Sequence, residues 1–181
     1  MAKVDRRILK SQEAMKKAVI ALMAEKKFDD ITIQDIADKA DINRGTIYLH
    51  YQDKYDLLDK LIEAHINELR EMGEWACKLD WSNALLPFFE YFEKNYVFFS
   101  TMLASQGAPS FRSRLFDYVT EGFKNEIDRE SGRNTDLSED VMLQYAGNAY
   151  VAVIEWWIRN GMPSPPQAIS KQVGALLERS L

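Results

Sequence analysis

The side chains in this sequence that can make or break bonds are few and scattered. His50 and His65 are the two histidines and Cys77 the single cysteine, with no histidine close to the cysteine in the chain. No glycine-rich phosphate loop and no cluster of metal-ligand type appears, so an enzyme has little support and no cofactor or metal is expected. One cysteine also excludes an intrachain disulfide framework. What does cluster is hydrogen-bond donation. Arg44, Gly45, Thr46, Tyr48 and His50 fall together, with Lys54 just beyond. Guanidinium, hydroxyl, phenol, imidazole and ammonium groups at such spacing suit recognition of oxygens and base edges more than covalent work.

Those donors need a scaffold, and the flanking sequence supplies one in helices. From Arg6 to Lys27 the apolar residues Ile8, Met15, Ala18, Val19 and Leu22 recur at helical spacing and leave a basic outer face. Phe28-Asp29-Asp30-Ile31 breaks that helix. Thr32 is a good N-cap for a short second helix with Ile33, Ile36, Ala37 and Ala40 on one side. Asp41-Ile42-Asn43 forms a tight turn, and Asn43 caps a third helix, Arg44 to Tyr51, too short to be stable alone. Two short helices joined by about three residues and braced by a longer one match a helix-turn-helix, whose second helix lies in the DNA major groove. Ile36, Ala37, Ile42 and Ile47 are placed to pack inward, leaving the donors of the third helix outside.

The run Thr32 to Leu58 closely resembles the DNA-binding domain of TetR-family regulators. Its distinctive part is Gly45-Thr46-Ile47-Tyr48-Leu49-His50-Tyr51 followed by Asp53-Lys54. Asn43, Tyr51 and Asp53 replace the family's frequent serine, phenylalanine, and serine or asparagine, with capping and packing chemistry preserved. The resemblance implies a DNA-binding set of Thr32, Arg44, Gly45, Thr46, Tyr48, His50 and Lys54. Arg44 can donate twice to guanine O6 and N7, with a phosphate or a solvated surface as the equal alternative. Gly45 would let the helix approach the duplex. Thr46 would meet a phosphate or a thymine methyl, or act as a second cap. Tyr48 would reach the backbone unless it is core, and His50 would bond a phosphate unless it is structural. Lys54, in the first turn of the next helix, would join that helix N-terminus on a phosphate oxygen. Thr32 would cap the second helix and present its amides to the backbone, or simply cap.

The remaining two thirds reads as the place where a signal enters. Asp53 starts a long helix to about Lys78, with Leu58, Leu61, Ile62, Leu69 and Met72 on one stripe. A shift of that helix would change the spacing of recognition helices in a dimer. Ser82 is expected to cap the next helix, with Leu85, Phe88, Phe89, Phe92 and Tyr96 inward. Gly107-Ala108-Pro109 marks a loop, Ser110 to about Ser131 another helix, and Ser138 caps one ending at Gly161. Aromatic residues crowd positions 81–123. Plain core is favoured over an effector pocket there, and Tyr91, Met102, Tyr118, Tyr145 and Asn148 are the candidates if a pocket exists. Val141, Tyr145, Ala149, Ala152, Val153, Trp156 and Trp157, with a last helix opened by Ser164-Pro165-Pro166, suit either a four-helix dimer interface or packing inside one subunit. The stretch Ala152 to Met162 resembles TetR-like proteins grouped with dihydroxyacetone-kinase regulators, which implies a protein partner as an alternative input to a small molecule.

Bulk properties agree. The formal net charge is −5, but residues 1–60 hold 12 basic against 11 acidic residues, and residues 1–27 hold 8 against 3. The basic excess, led by Lys3, Arg6, Arg7, Lys10, Lys16 and Lys17, therefore sits at the end expected to meet DNA. No apolar run is long enough for a membrane helix or a secretory signal, so a cytoplasmic location is expected. The sequence thus predicts an all-α protein. Residues 1–52 would form a three-helix helix-turn-helix domain and residues 53–181 a larger helical effector-sensing and dimerisation domain. The expected function is a homodimeric repressor on a near-palindromic duplex operator. The alternatives are an activator controlled by a protein partner, or an interaction module that has lost DNA binding.

Overall fold

A computed structural model describes residues 6–76, 80–104, 109–124, 134 and 136–180. Among the described residues there are nine α-helices, one 3-10 turn and no strand, as the all-α expectation requires. In chain order they are α1 (Arg6–Glu25), the 3-10 turn (Phe28–Asp30), α2 (Ile33–Ala40), α3 (Arg44–Tyr48), α4 (Lys54–Ala76), α5 (Trp81–Lys94), α6 (Tyr96–Ala104), α7 (Pro109–Phe123), α8 (Glu139–Arg159) and α9 (Pro166–Ser180). Lys3, Cys77, Lys78, Gly107, Ala108 and Ser131 lie outside the described residues. No helix is long and apolar enough to cross a membrane, among the described residues.

Two compact units divide inside α4, between His65 and Ile66, later in the chain than the expected boundary at residues 52 and 53. The reason is burial: the first turns of α4 place Leu57, Leu58, Leu61 and Ile62 in the core of the N-terminal unit. That core also takes Met15, Val19 and Leu22 from α1, Phe28 and Ile31 from the turn, Ile36 and Ala37 from α2, and Ile47 from α3. Ile8, expected inward, is 39% exposed, because the first turns of α1 run past the core. Between α2 and α3 the chain reverses at Asp41, whose φ of 53° and ψ of 50° are left-handed. Its amide returns to the carbonyls of Ala37 and Asp38, closing the last turn of α2 as a left-handed C-terminal residue commonly does.

In the C-terminal unit α5 packs along α9 and α7 along α8. The aromatic run is chiefly core: Phe89, Phe92, Phe99, Phe111 and Trp157 are fully buried. Their rings meet edge to face, with Phe92–Phe99 centroids at 4.8 Å and Phe89–Trp157 at 5.3 Å, an arrangement that adds quadrupole attraction to area burial. Four boundaries depart from expectation, among them the end of α7 at Phe123 instead of about Ser131. Asp80, not Ser82, caps α5, its carboxylate accepting from the Asn83 amide. Tyr96 does not continue α5 but opens α6, because the chain turns at Asn95. Helix α8 stops at Arg159, and Gly161 and Met162, both at positive φ, make the turn toward α9. Ser138 and Pro166 begin α8 and α9 as expected.

Small residues set the closest approaches. A Cβ built on Gly174 of α9 would lie 2.8 Å from the Ser82 backbone nitrogen, and one on Gly147 of α8 would lie 2.7 Å from a Thr120 methyl of α7. Backbone is the harder neighbour to displace. Gly174→Ala should therefore destabilise the protein by about 1–3 kcal/mol, despite alanine's better helix propensity. Denaturant unfolding checks this, and unchanged or raised stability would show that α9 can slide on α5.

Candidate DNA interface

The outward side of the N-terminal unit is built around α3. Asn43 caps it, its Oδ1 accepting the Gly45 amide at 2.8 Å. Ile47, with no exposed surface, anchors the helix inward. One turn apart on the outer side, Arg44 Nη2 donates to the Tyr48 hydroxyl at 3.0 Å, and the guanidinium lies 5.4 Å from the Tyr48 ring centroid. Both side chains are exposed, Tyr48 by 47%, which removes the core alternative for this tyrosine. Thr46 is half-buried, and so is His50, whose ring stands edge-on to buried Tyr51 at 6.3 Å.

Leu49 is the residue that the sequence reasoning missed. It is 79% exposed, the most open large apolar side chain of the protein's described part. It shares the outer stripe with Gly45, four residues back, and helical spacing from Gly45 would have found it. An apolar group there suits a thymine methyl.

Thr32 caps α2 within a reciprocal box: its Oγ1 accepts the Asp35 amide at 3.1 Å while Asp35 Oδ2 accepts the Thr32 amide at 2.8 Å. The same carboxylate oxygen accepts the Lys26 ammonium at 2.8 Å, from just beyond α1. That ammonium, with the Thr32 bonds, holds the Asp35 carboxyl down at about 2. A second pair, Lys39 to Glu25 at 2.8 Å, also ties α2 to α1. Lys54 is engaged as well. Its ammonium, expected on a phosphate, donates to the carbonyls of Phe28, Asp29 and Ile31 at 3.0, 2.7 and 2.8 Å. The basic excess of the front is thus partly internal, while Arg6, Lys10 and Lys17 line a shallow open depression on α1 with Leu9, Glu13 and Ala14.

Comparison with known proteins decides what this surface belongs to. Residues 80–179, more than half of the chain, match the family model described as a transcriptional regulator C-terminal region, and residues 17–61 match the model for bacterial regulatory proteins of the tetR family. The chain belongs to the TetR family of transcriptional regulators. The regulator is 23% identical over 93% of its length to an uncharacterized HTH-type transcriptional regulator of Bacillus subtilis, YxbF, covering 45% of that protein. It is 29% identical over 49% of its length to the dhaKLM operon transcriptional activator DhaS of Lactococcus lactis, covering 46% of it. The chain spans less than half the length of each of these curated relatives within the match. Among solved structures, a TetR regulator from Streptococcus agalactiae superposes with a TM-score of 0.73 at 25% identity, covering 96% of both chains. A DhaS structure superposes with a TM-score of 0.65 at 22% identity, covering 93% of this chain and 94% of that one, which speaks for the fold. The family and the fold are those of DNA-binding regulators, not of enzymes.

In this regulator the five effector candidates do not share one surface. Met102 is core at 2% exposure. Tyr91 packs its ring on Phe99 at 5.9 Å, and burial next to Glu68 pushes its hydroxyl up to about 12. Tyr118 donates its hydroxyl to the Leu69 carbonyl of α4 at 2.7 Å. Tyr145, 68% exposed, and exposed Asn148 stand instead on the outer face of α8, with the Asn148 amide on the Gln144 carbonyl at 2.8 Å.

The cap geometry yields a test of how α2 is held. Thr32→Ala removes the one hydroxyl that both accepts the Asp35 amide and donates to the Asp35 carboxylate. It should cost about 1 kcal/mol of unfolding free energy, while Thr32→Asn should keep most of it. Equal stability of Thr32→Ala and wild type in denaturant titrations would remove the cap from the account of the site.

Proposed function

We propose that the chain acts as a homodimeric repressor that binds a near-palindromic duplex operator through α3, with affinity controlled by a signal at the C-terminal unit. The observation that carries the DNA-reading part is the outward stripe of Arg44, Gly45 and Tyr48 on α3, continued by Leu49 at its C-terminal end, on a helix whose inward residue, Ile47, is wholly buried. Arg44 would read a guanine edge, held in place by Tyr48, and Leu49 would meet a thymine methyl. Thr32, Thr46, Tyr48 and His50 would contact the phosphate backbone and set the register, with the amides of α2 alongside.

Dimerisation is supported by an apolar ridge on α8. Val141, Tyr145, Ala149, Ala152 and Trp156 recur at helical spacing and are all exposed, with Val141 at 61%, Tyr145 at 68% and Trp156 at 53%. Leu176 of α9 is 56% exposed. A long helix that buries Met142, Ala146, Tyr150, Ile154 and Trp157 on one side and still shows this ridge on the other has two apolar faces. Apolar patches of that kind mark interaction surfaces, and a second copy placed isologously would cover α8 and α9 with the same helices. The earlier alternative of packing within one subunit leaves the ridge uncovered.

A signal would act through α4, which runs unbroken from Lys54 to Ala76 and contributes to both compact units. The named function of DhaS favours a second reading, an activator controlled by a protein partner, in which the input would be a protein surface instead of a small molecule.

Selection from a random duplex library at about physiological salt tests the proposal, since specific sites must be bound roughly 1,000-fold or more above non-specific DNA. Enrichment of an inverted repeat is expected, and Arg44→Ala should relax preference at one position in each half-site at a cost of about 1–3 kcal/mol. A single unrepeated site would argue against the symmetric dimer, and unchanged preference in Arg44→Ala would remove that residue from base reading.

The ridge makes a separate prediction. Tyr145→Lys with Trp156→Lys should convert the dimer into a folded monomer at about micromolar concentration, read by light scattering, and weaken operator binding at least about tenfold. A double variant that remains dimeric would place the interface elsewhere.

A further inference from the structure

Lys54 is the first residue of α4, and its side chain turns back toward the chain segment between α1 and α2. An ammonium has three donors and no acceptor. All three are matched, at 3.0 Å to the Phe28 carbonyl, 2.7 Å to Asp29 and 2.8 Å to Ile31. The convergence of these carbonyls comes from the 3-10 turn, which curls residues 28–30 tightly before the chain extends at Ile31. The Phe28 and Tyr55 rings flank the same nitrogen, each centroid 5.1 Å away, and meet each other edge to face at 5.4 Å. Phe28 is 2% exposed, so the ammonium is seated on the edge of the core and not waving in solvent.

The last of the three carbonyls belongs to the peptide unit that also carries the Thr32 amide. That amide donates to Asp35 in the capping box of α2. A single peptide plane therefore has the start of α4 on its oxygen and the N-terminus of α2 on its nitrogen. We propose that Lys54 is a positioning residue that latches the first turn of α4 to the cap of α2, and that it does not contact DNA phosphate. Movement of α4 is thereby delivered to the helix pair that reads DNA through a tripod of charge-assisted hydrogen bonds, instead of through apolar packing alone, which can slide. The tripod needs a compact ammonium. A planar guanidinium cannot direct three donors at three converging carbonyls from the same stem, whereas it serves a phosphate at least as well.

That difference separates the two roles. Full-length wild type, Lys54→Arg and Lys54→Met are compared by amide hydrogen exchange without DNA, and by binding to a random-sequence duplex of about 30 base pairs over a range of salt. A latch predicts at least about tenfold faster exchange at residues 31–37 in both variants, with the core of α1 unchanged. It also predicts that both weaken duplex binding at least about tenfold, while the slope of log affinity against log salt stays that of the wild type. A phosphate contact predicts wild-type exchange, near wild-type binding by Lys54→Arg, and a slope reduced by about 0.9 per subunit in Lys54→Met. That pattern would overturn the proposal, as would faster exchange spread evenly over the whole unit.

The wild-type protein provides a check that needs no folded variant for its readout. In a sample labelled with nitrogen-15 lysine, the Lys54 ammonium signal should be slow to exchange before DNA is added and should keep its shift at saturating duplex. A signal that exchanges freely, or that moves on binding, overturns the latch. Should the wild type fail to bind the duplex, the DNA-binding reading fails by itself, and the exchange measurements still decide the latch.

Discussion

A helix of five residues cannot hold itself together in water, because so short a run forms too few internal hydrogen bonds to offset the ordering of its backbone. The surface proposed to read DNA is such a helix, preceded by one of eight. Everything around α3 can be understood as replacing the stability it lacks. Ile47 fastens it to the core, Asn43 closes its first turn, and the left-handed Asp41 fixes the angle at which it leaves α2. The exposed donors are consequently presented on a frame whose shape is set by neighbours, and a small change in those neighbours is a change in the reading surface.

Charge is arranged to serve that frame before it serves the partner. A chain with net charge −5 that binds DNA must concentrate its cations, and the front does hold an excess. Yet Lys26 and Lys39 pair with Asp35 and Glu25 between α1 and α2. Arg44 leans on Tyr48. Such pairs at partly exposed positions contribute little to stability individually, with the geometric constraint being their larger effect. A guanidinium already ordered by a neighbouring ring and hydroxyl loses less freedom on meeting a base.

The C-terminal unit answers a different problem. Aromatic rings fill its centre edge to face, and glycines on α8 and α9 let helices approach where any Cβ would collide. After that core is complete, α8 still carries an apolar ridge to the surface. An interior already so densely supplied has no need of these side chains, so their exposure is the feature a second subunit would explain.

The residue pattern alone determined the helical class, the caps at Thr32, Asn43 and Ser138, and the outward placement of Arg44, Gly45 and Tyr48 on α3, though not of Thr46 and His50, which are half-buried. Caps and helix faces are local properties of spacing and hydrogen-bonding chemistry within a few residues. It also assigned the aromatic run chiefly to core. Other features were decided only in three dimensions. Asp80 displaces Ser82 as a cap because the chain enters α5 two residues earlier, and the turn at Asn95 separates α5 from α6 although apolar residues at helical spacing continue on both sides of it. Tyr145 and Met102 look alike as helical apolar positions, and only the packing of their helices, α8 and α6, sends one outward and the other inward. Most plainly, nothing near Lys54 in sequence announces that its ammonium is matched by carbonyls some 25 positions earlier. A lysine's partner is chosen by which oxygens the fold brings within reach of a long, flexible stem, and that choice is tertiary.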